Sequence, residues 1–182
     1  MAHLPSLPEG ATLPDVFKAF PESNKPLIEF HEIVMRGPSP FSEAERELIA
    51  AYVSGLNRCR YCRRVHTATA ERLGAPPGAV ERLIEAGDAA TVAPRMRPVL
   101  DYAEKLTRDP AELTEADAAA VYAAGWDETA LYHLVAVTAL FNYMNRLVEG
   151  LGIALEPAYV EPASRRLAER GYLPLIDMMM SR

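Results

Sequence analysis

Only two of the 182 residues are cysteine, and only one is tryptophan. Two thiols cannot staple a chain of this length, which excludes a disulfide framework. None is needed, because a chain of this size buries about 70% of its unfolded surface on folding. Long apolar runs are missing as well. A membrane span needs roughly 18 consecutive apolar residues, and the nearest approach, Leu131 to Leu140, is broken by His133 and Thr138. Basic charge is in deficit: 19 Lys and Arg against 25 Asp and Glu give a net charge of −6. Such a chain lacks the basic footprint that a phosphate backbone demands, so neither nucleic acid nor membrane is an expected partner. Strand patterning is absent too, with no alternating Val/Ile/Thr segment followed by a hairpin turn. The start, Met1-Ala2-His3-Leu4-Pro5-Ser6, has no basic segment leading into an apolar run, so no secretory signal is expected. The expected compartment is a reducing cytoplasm, where a Cys-x-x-Cys pair is more often catalytic or metal-binding than a static crosslink.

What remains is a composition of 49% hydrophobic and 24% charged residues, that of one folded globular domain. Proline and glycine divide it into helical blocks. A proline-rich arm, residues 1–24, carries a short helix near Leu13–Phe20. Apolar spacing predicts a helix over Pro26–Met35. Ser42 caps the next one, with Glu43, Glu45 and Glu47 where the helix dipole favours negative charge. Asn57 is read as the N-cap of a helix running from Arg58 to about Leu73, closed by Gly74. Further helices are predicted near 77–86, 95–107, 115–123, 127–149 and Pro162–Arg170. The expected fold is all-α with about eight helices, organised as the arm, a core over 25–155, and a helical extension over 156–182 that packs on the core or on a neighbouring subunit.

The chemistry concentrates at Cys59-Arg60-Tyr61-Cys62 and His66. If this segment is helical from Arg58, an advance of 100° per residue places all three side chains within roughly 60° of one face. A thiolate is the reactive form of cysteine, and a helix N-terminus favours it. Arg58, Arg60, Arg63 and Arg64 add local positive potential, and His66 stands one turn beyond Cys62, able to accept its proton. Two such sulfurs can run a cycle in which one is oxidised to a sulfenic acid and the other condenses with it. The alternatives are an inert buried pair and a zinc site built on Cys59, Cys62, His66 and one outside ligand, although no second ligand pair is present. Arg63 occupies the place where covalent haem attachment needs histidine, and no βαβ context for a thioredoxin site appears. His3 and His31 stand alone. His133 reads as a satisfied core histidine, Trp126 as packing, and the arginines can equally form a solvated helix face.

The run Phe41-Ser42-Glu43-Ala44-Glu45-Arg46-Glu47-Leu48-Ile49-Ala50, with Val53-Ser54, Asn57, Cys59-Arg60-Tyr61-Cys62 and His66, resembles the alkylhydroperoxidase AhpD core of the carboxymuconolactone decarboxylase-like superfamily. Glutamate stands twelve residues before the first cysteine, and histidine four after the second. Leu100–Leu106, Leu113–Asp117 and Phe141–Arg146 resemble its longer, peroxidase-related branch. The resemblance implies an all-helical fold assembled as trimers or hexamers. It implies a peroxidase whose site is Glu47, Cys59, Cys62 and His66, with no cofactor and no metal. Cys62 would attack the peroxide and Cys59 resolve it. His66 would relay protons, with Glu47 completing the relay through water. Bottom-up, Cys59 has the better helix-end position and Cys62 the nearer base, so the two roles stay open. The implied partners are an organic peroxide and a dithiol or protein electron donor. One feature departs from the family: the histidine found between the two cysteines in the well-studied branch is replaced here by Arg60 and Tyr61. The decarboxylase branch lacks the Cys-x-x-Cys, so its presence favours redox chemistry over lactone decarboxylation.

Overall fold

The computed structural model describes residues 2–180; Met1, at the head of the arm, and Ser181 and Arg182, at the end of the extension, lie outside the described residues. Within them the chain is all-helical. Ten α-helices follow one another: α1 (Leu13–Ala19), α2 (Pro21–Arg36), α3 (Glu43–Leu56), α4 (Arg60–Arg72), α5 (Ala79–Ala86), α6 (Arg97–Arg108), α7 (Glu115–Ala123), α8 (Glu128–Gly150), α9 (Pro157–Arg170) and α10 (Pro174–Met180). The centre is α3. It packs most extensively on α4 and also meets α8, α6 and α5. Nearly all of it is buried, from Arg46 to Gly55, because its apolar residues cover more than one face.

Capping follows the sequence closely. The Ser42 hydroxyl accepts from the Glu45 backbone N–H at 3.2 Å, and the Glu45 carboxylate returns to the Ser42 N–H at 2.8 Å. Thr12 with Asp15 and Thr114 with Asp117 repeat the same reciprocal box at α1 and α7.

Two helix starts differ from expectation for one shared reason. Periodicity begins α2 at Pro26 and α9 at Pro162, yet they begin five residues earlier, at Pro21 and Pro157. Each opens on a proline, whose missing N–H is not wanted at a first helical position. Each then carries a second proline inside. That internal ring forfeits one backbone bond, to the carbonyl of Glu22 or Ala158, and both of those residues are exposed, so water satisfies the freed oxygen. The helix α10 is also additional to the elements expected in the tail. Around the central pair, α9 lies along α4, while α1, α2 and α10 pack together beside it.

Candidate active site

The turn between α3 and α4 is the first correction to the sequence reading. Asn57 is not the N-cap of α4; it ends α3. Arg58 follows in the left-handed region at φ 59°, and Cys59 itself is the N-cap. The Arg58 N–H donates to the Gly55 carbonyl and the Cys59 N–H to the Ser54 carbonyl, both at 2.9 Å. These bonds close the chain back on α3 before α4 begins. Asn57 turns its amide to α8 instead, donating to Asn142 Oδ1 at 3.0 Å and Asn145 Oδ1 at 2.9 Å, and Asn145 donates to Ser54 Oγ at 3.0 Å. The consequence is chemical. Cys62 lies in the first turn of α4 and Cys59 at the cap itself, where the Cys62 backbone N–H favours its thiolate, so the helix end serves both sulfurs.

Both thiols are free and buried. Hydrogen bonding to the Cys62 sulfur pushes the Cys59 thiol far above its ordinary range, burial adds to it, and so does a hydrogen bond to Glu149. Cys59 therefore holds its proton. Only Cys62 reaches the cavity that α1, α2, α4, α8, α9 and α10 enclose. That cavity holds about 50 Å³, several times the roughly 10–15 Å³ that one water requires. Its walls are mainly apolar, including Phe17, Ile28, Val65, Phe141 and Leu167.

His66 lines the same cavity one turn beyond Cys62. Its Nδ1–H donates to Glu47 Oε2 at 2.6 Å. This direct bond replaces the expected water, because the α3–α4 packing leaves no gap between the two side chains. The other Glu47 oxygen accepts from Arg36 Nη2 at 2.7 Å and from the Tyr172 hydroxyl at 2.9 Å. Burial alone would raise the fully buried Glu47 carboxyl. The interactions with His66 and Arg36 outweigh it and hold the group below the ordinary carboxylate range. Tyr172 is pushed the other way by burial and by the Glu47 charge, so it stays protonated and donates. With Nδ1 committed to Glu47, His66 keeps Nε2 as its free nitrogen.

Three partners of this site carry no local sequence signal. Arg36 ends α2 and its guanidinium lies 5.1 Å from the Tyr172 ring centroid. Tyr172 enters through the turn at Gly171, whose φ of +67° suits glycine and where a Cβ would stand 2.6 Å from Glu32 Oε2. His31, which reads as isolated in sequence, sits in the cavity wall, its ring centroid 5.4 Å from that of Tyr172. Its Nδ1–H donates to the Leu27 carbonyl at 2.8 Å, and burial lowers its pKa to about 4, so it is neutral.

Other sequence readings sort as follows. Arg58, Arg60 and Arg63 line a separate surface groove with Arg108, away from the cavity. The cation in the cavity wall is Arg166. His133 is only half-buried and its Nδ1 is buried without a partner, so it is not a satisfied core histidine; the α8 face that carries it is incompletely covered. Trp126 does pack, 4.3 Å from the Phe41 ring centroid, and its Nε1–H donates to the Arg95 carbonyl at 2.9 Å. Among the described residues no group of three His, Cys, Asp or Glu side chains is placed to hold a metal ion. Among the described residues no helix is long and apolar enough to cross a membrane.

Residues 21–105, which contain Glu47, Cys59, Cys62 and His66, match the model of the carboxymuconolactone decarboxylase family. No functionally curated protein matches the chain. Among solved structures, a peroxidase-related protein from Silicibacter sp. TM1040 is similar at 30% identity and a TM-score of 0.75, over 81% of this chain and 78% of that one. A peroxidase-related protein with an alkylhydroperoxidase AhpD core, from Ralstonia eutropha JMP134, is similar at 25% identity and a TM-score of 0.74, over 80% and 76%. A protein of unknown function from Agrobacterium tumefaciens shares the fold at 15% identity, with a TM-score of 0.70 over 78% of this chain and 95% of that one.

Proposed function

The chain belongs to the AhpD/carboxymuconolactone decarboxylase superfamily, and on that premise we propose that it is a cysteine-based peroxidase that reduces an organic hydroperoxide through a Cys59/Cys62 dithiol cycle. The observation that carries this reading is the asymmetry of the two thiols. Cys62 opens to the apolar cavity beside His66, while Cys59 lies behind it, buried and held protonated.

The steps balance as follows. His66 Nε2 takes the Cys62 proton, and Glu47 steadies the resulting imidazolium through Nδ1–H. The Cys62 thiolate attacks the outer peroxide oxygen. The O–O bond breaks, Cys62 becomes a sulfenic acid, and the departing alkoxide takes the proton from His66 to leave as an alcohol. Cys59 then attacks the Cys62 sulfur, a disulfide forms, and the displaced hydroxide leaves as water with the Cys59 proton. An external dithiol or protein donor returns two electrons by exchange. The apolar walls favour an organic peroxide over hydrogen peroxide. In this reading the enzyme works in the cytoplasm, where such donors are reduced, and assembles with copies of itself.

Thiol titration tests it. Stoichiometric hydroperoxide should consume two thiols per chain and lower the mass by about 2 Da, the two hydrogens lost on forming a Cys59–Cys62 disulfide. Cys62→Ser should abolish peroxide consumption with a dithiol reductant; undiminished turnover in that variant rejects the proposal. Activity on a lactone acid that survives loss of both cysteines would instead assign decarboxylase chemistry, and about one zinc per chain after purification without chelator would assign a structural metal.

A further inference from the structure

A second concave site lies outside the dithiol cavity, in the surface groove where α3, α4, α5 and α6 meet. It holds about 310 Å³. Arg58, Arg60, Arg63 and Arg108 line it over an apolar floor of Leu56 and Ile84, and no acidic side chain lines it. Arg58 and Arg60 are exposed and Arg63 half-buried, so their charges are open to a ligand. Of the four, Arg108 has an ion pair, with Glu104 at 2.7 Å. The other three have none among the described residues, and the Arg63 Nε is buried without a hydrogen-bond partner. Arg58 is fixed in place by its backbone. Its φ of 59° is uncommon for a residue with a side chain, and its N–H is held by the Gly55 carbonyl.

In a chain of net charge −6, such a cluster is a local inversion of sign. Like charges gathered in one groove repel one another and draw in anions. The groove continues past Leu56, Ile84 and Arg108, which also line an adjoining compartment of about 270 Å³. There Asp101 and Glu104 enter the wall, with Arg97 and with Tyr52, whose hydroxyl donates to Glu104 at 2.7 Å. Asp101 makes no hydrogen bond among the described residues, and burial and the Glu104 charge raise its carboxyl above the ordinary range. A hydroxyl donated to that pair of carboxylates relieves their repulsion.

We propose that this two-part groove binds an organic diphosphate, its phosphates on Arg58, Arg60 and Arg63 and its hydroxyl-bearing remainder over Leu56 and Ile84 toward Asp101. Guanidinium forks match phosphate oxygens two at a time. A single carboxylate offsets one of three unpaired charges, whereas a diphosphate offsets them together. A bare inorganic anion leaves the apolar floor and the carboxylate end unused. The site is independent of the peroxidase reading.

Calorimetric titration of the full-length chain at about 0.15 M salt, with ADP, pyrophosphate and citrate and without divalent metal, tests it. ADP should bind at least about tenfold more tightly than either of the others. Arg58→Gly, which suits the left-handed backbone, and Arg63→Met, which keeps the apolar stem, should each weaken ADP about tenfold. Arg64→Met, on the same helix but outside the groove, should leave it unchanged. Asp101→Ala should weaken ADP and not pyrophosphate. No heat of binding with ADP overturns the proposal. Citrate equal to ADP overturns it too, since the groove would then read charge alone, and pyrophosphate equal to ADP leaves an inorganic-anion site in its place. These three comparisons use the unmodified chain and need no variant to fold. An ADP affinity unchanged in both groove arginine variants places the ligand elsewhere and also overturns it.

Discussion

Glu47 is a charged residue buried at the centre of the site. Its carboxylate is fully buried and balances Arg36 and His66, so removing it leaves the buried Arg36 guanidinium with only the longer, half-exposed contact to Glu43 at 3.5 Å. Glu47→Ala should destabilise the fold by about 3–5 kcal/mol in urea titration, the range for breaking one partner of a buried pair. Glu47→Gln keeps the shape and should cost less, yet still slow peroxide turnover because it cannot stabilise an imidazolium. His31 gives the pH response. Its pKa falls from 6.5 to about 4 on folding. The unfolded chain therefore binds this proton as pH drops through 6.5, while the folded chain stays neutral until near 4. Stability is full above pH 6.5 and declines below it, by about 2 kcal/mol at pH 5. Glu47, depressed from 4.5, adds its own loss only below that value. Urea midpoints at pH 7 and pH 5 should show the His31 loss, and His31→Phe should remove most of it.

Among the elements, the turn from α3 to α4 decides which sulfur faces the cavity. The Asn57–Asn145–Ser54 bonds pin that turn to α8 and hold Cys59 at the helix cap rather than inside the helix. Asn145→Ala would remove one of the two hydrogen bonds made by Ser54 and by Asn57 in a largely buried position. Such a loss costs about 1–3 kcal/mol. The variant should lower the urea midpoint accordingly and let Cys59 react with thiol probes faster than in the unmodified chain. An unchanged Cys59 rate would show that the turn holds without the asparagine.

Across the whole molecule, α2 and α8 expose a groove of large apolar side chains. Phe30, Tyr132 and Tyr143 are 45%, 69% and 52% accessible, and Ile33 beside them is 66% accessible. Contiguous exposure of this kind marks an interaction surface. In light scattering the chain should run as a multimer, and Tyr132→Glu, which places charge in the groove, should shift the mass downward. A 20 kDa species for the unmodified chain would remove self-association from the proposed function.

Much of this was legible in order along the chain. Helical periodicity, the Ser42 box and the spacing of Glu47, Cys59, Cys62 and His66 are local properties. Residues three and four apart on a helix share a face wherever the helix goes, and i to i+3 caps need no distant partner. Those features identified an all-helical chain and a dithiol beside an imidazole. Which sulfur faces the cavity was not legible, because it depends on Arg58 adopting a left-handed conformation and on asparagine contacts with α8, more than eighty residues away. Nor was the cavity: its walls come from α1, α9 and α10 as well as the core, and His31, Tyr172 and Arg166 reach it only once the arm and the tail have packed. Sequence by itself determined the reactive groups and the helices that carry them, through short-range geometry. Tertiary structure alone decided which thiol meets the cavity and what else lines it, because burial and charge pairing across distant segments exist only after the helices assemble.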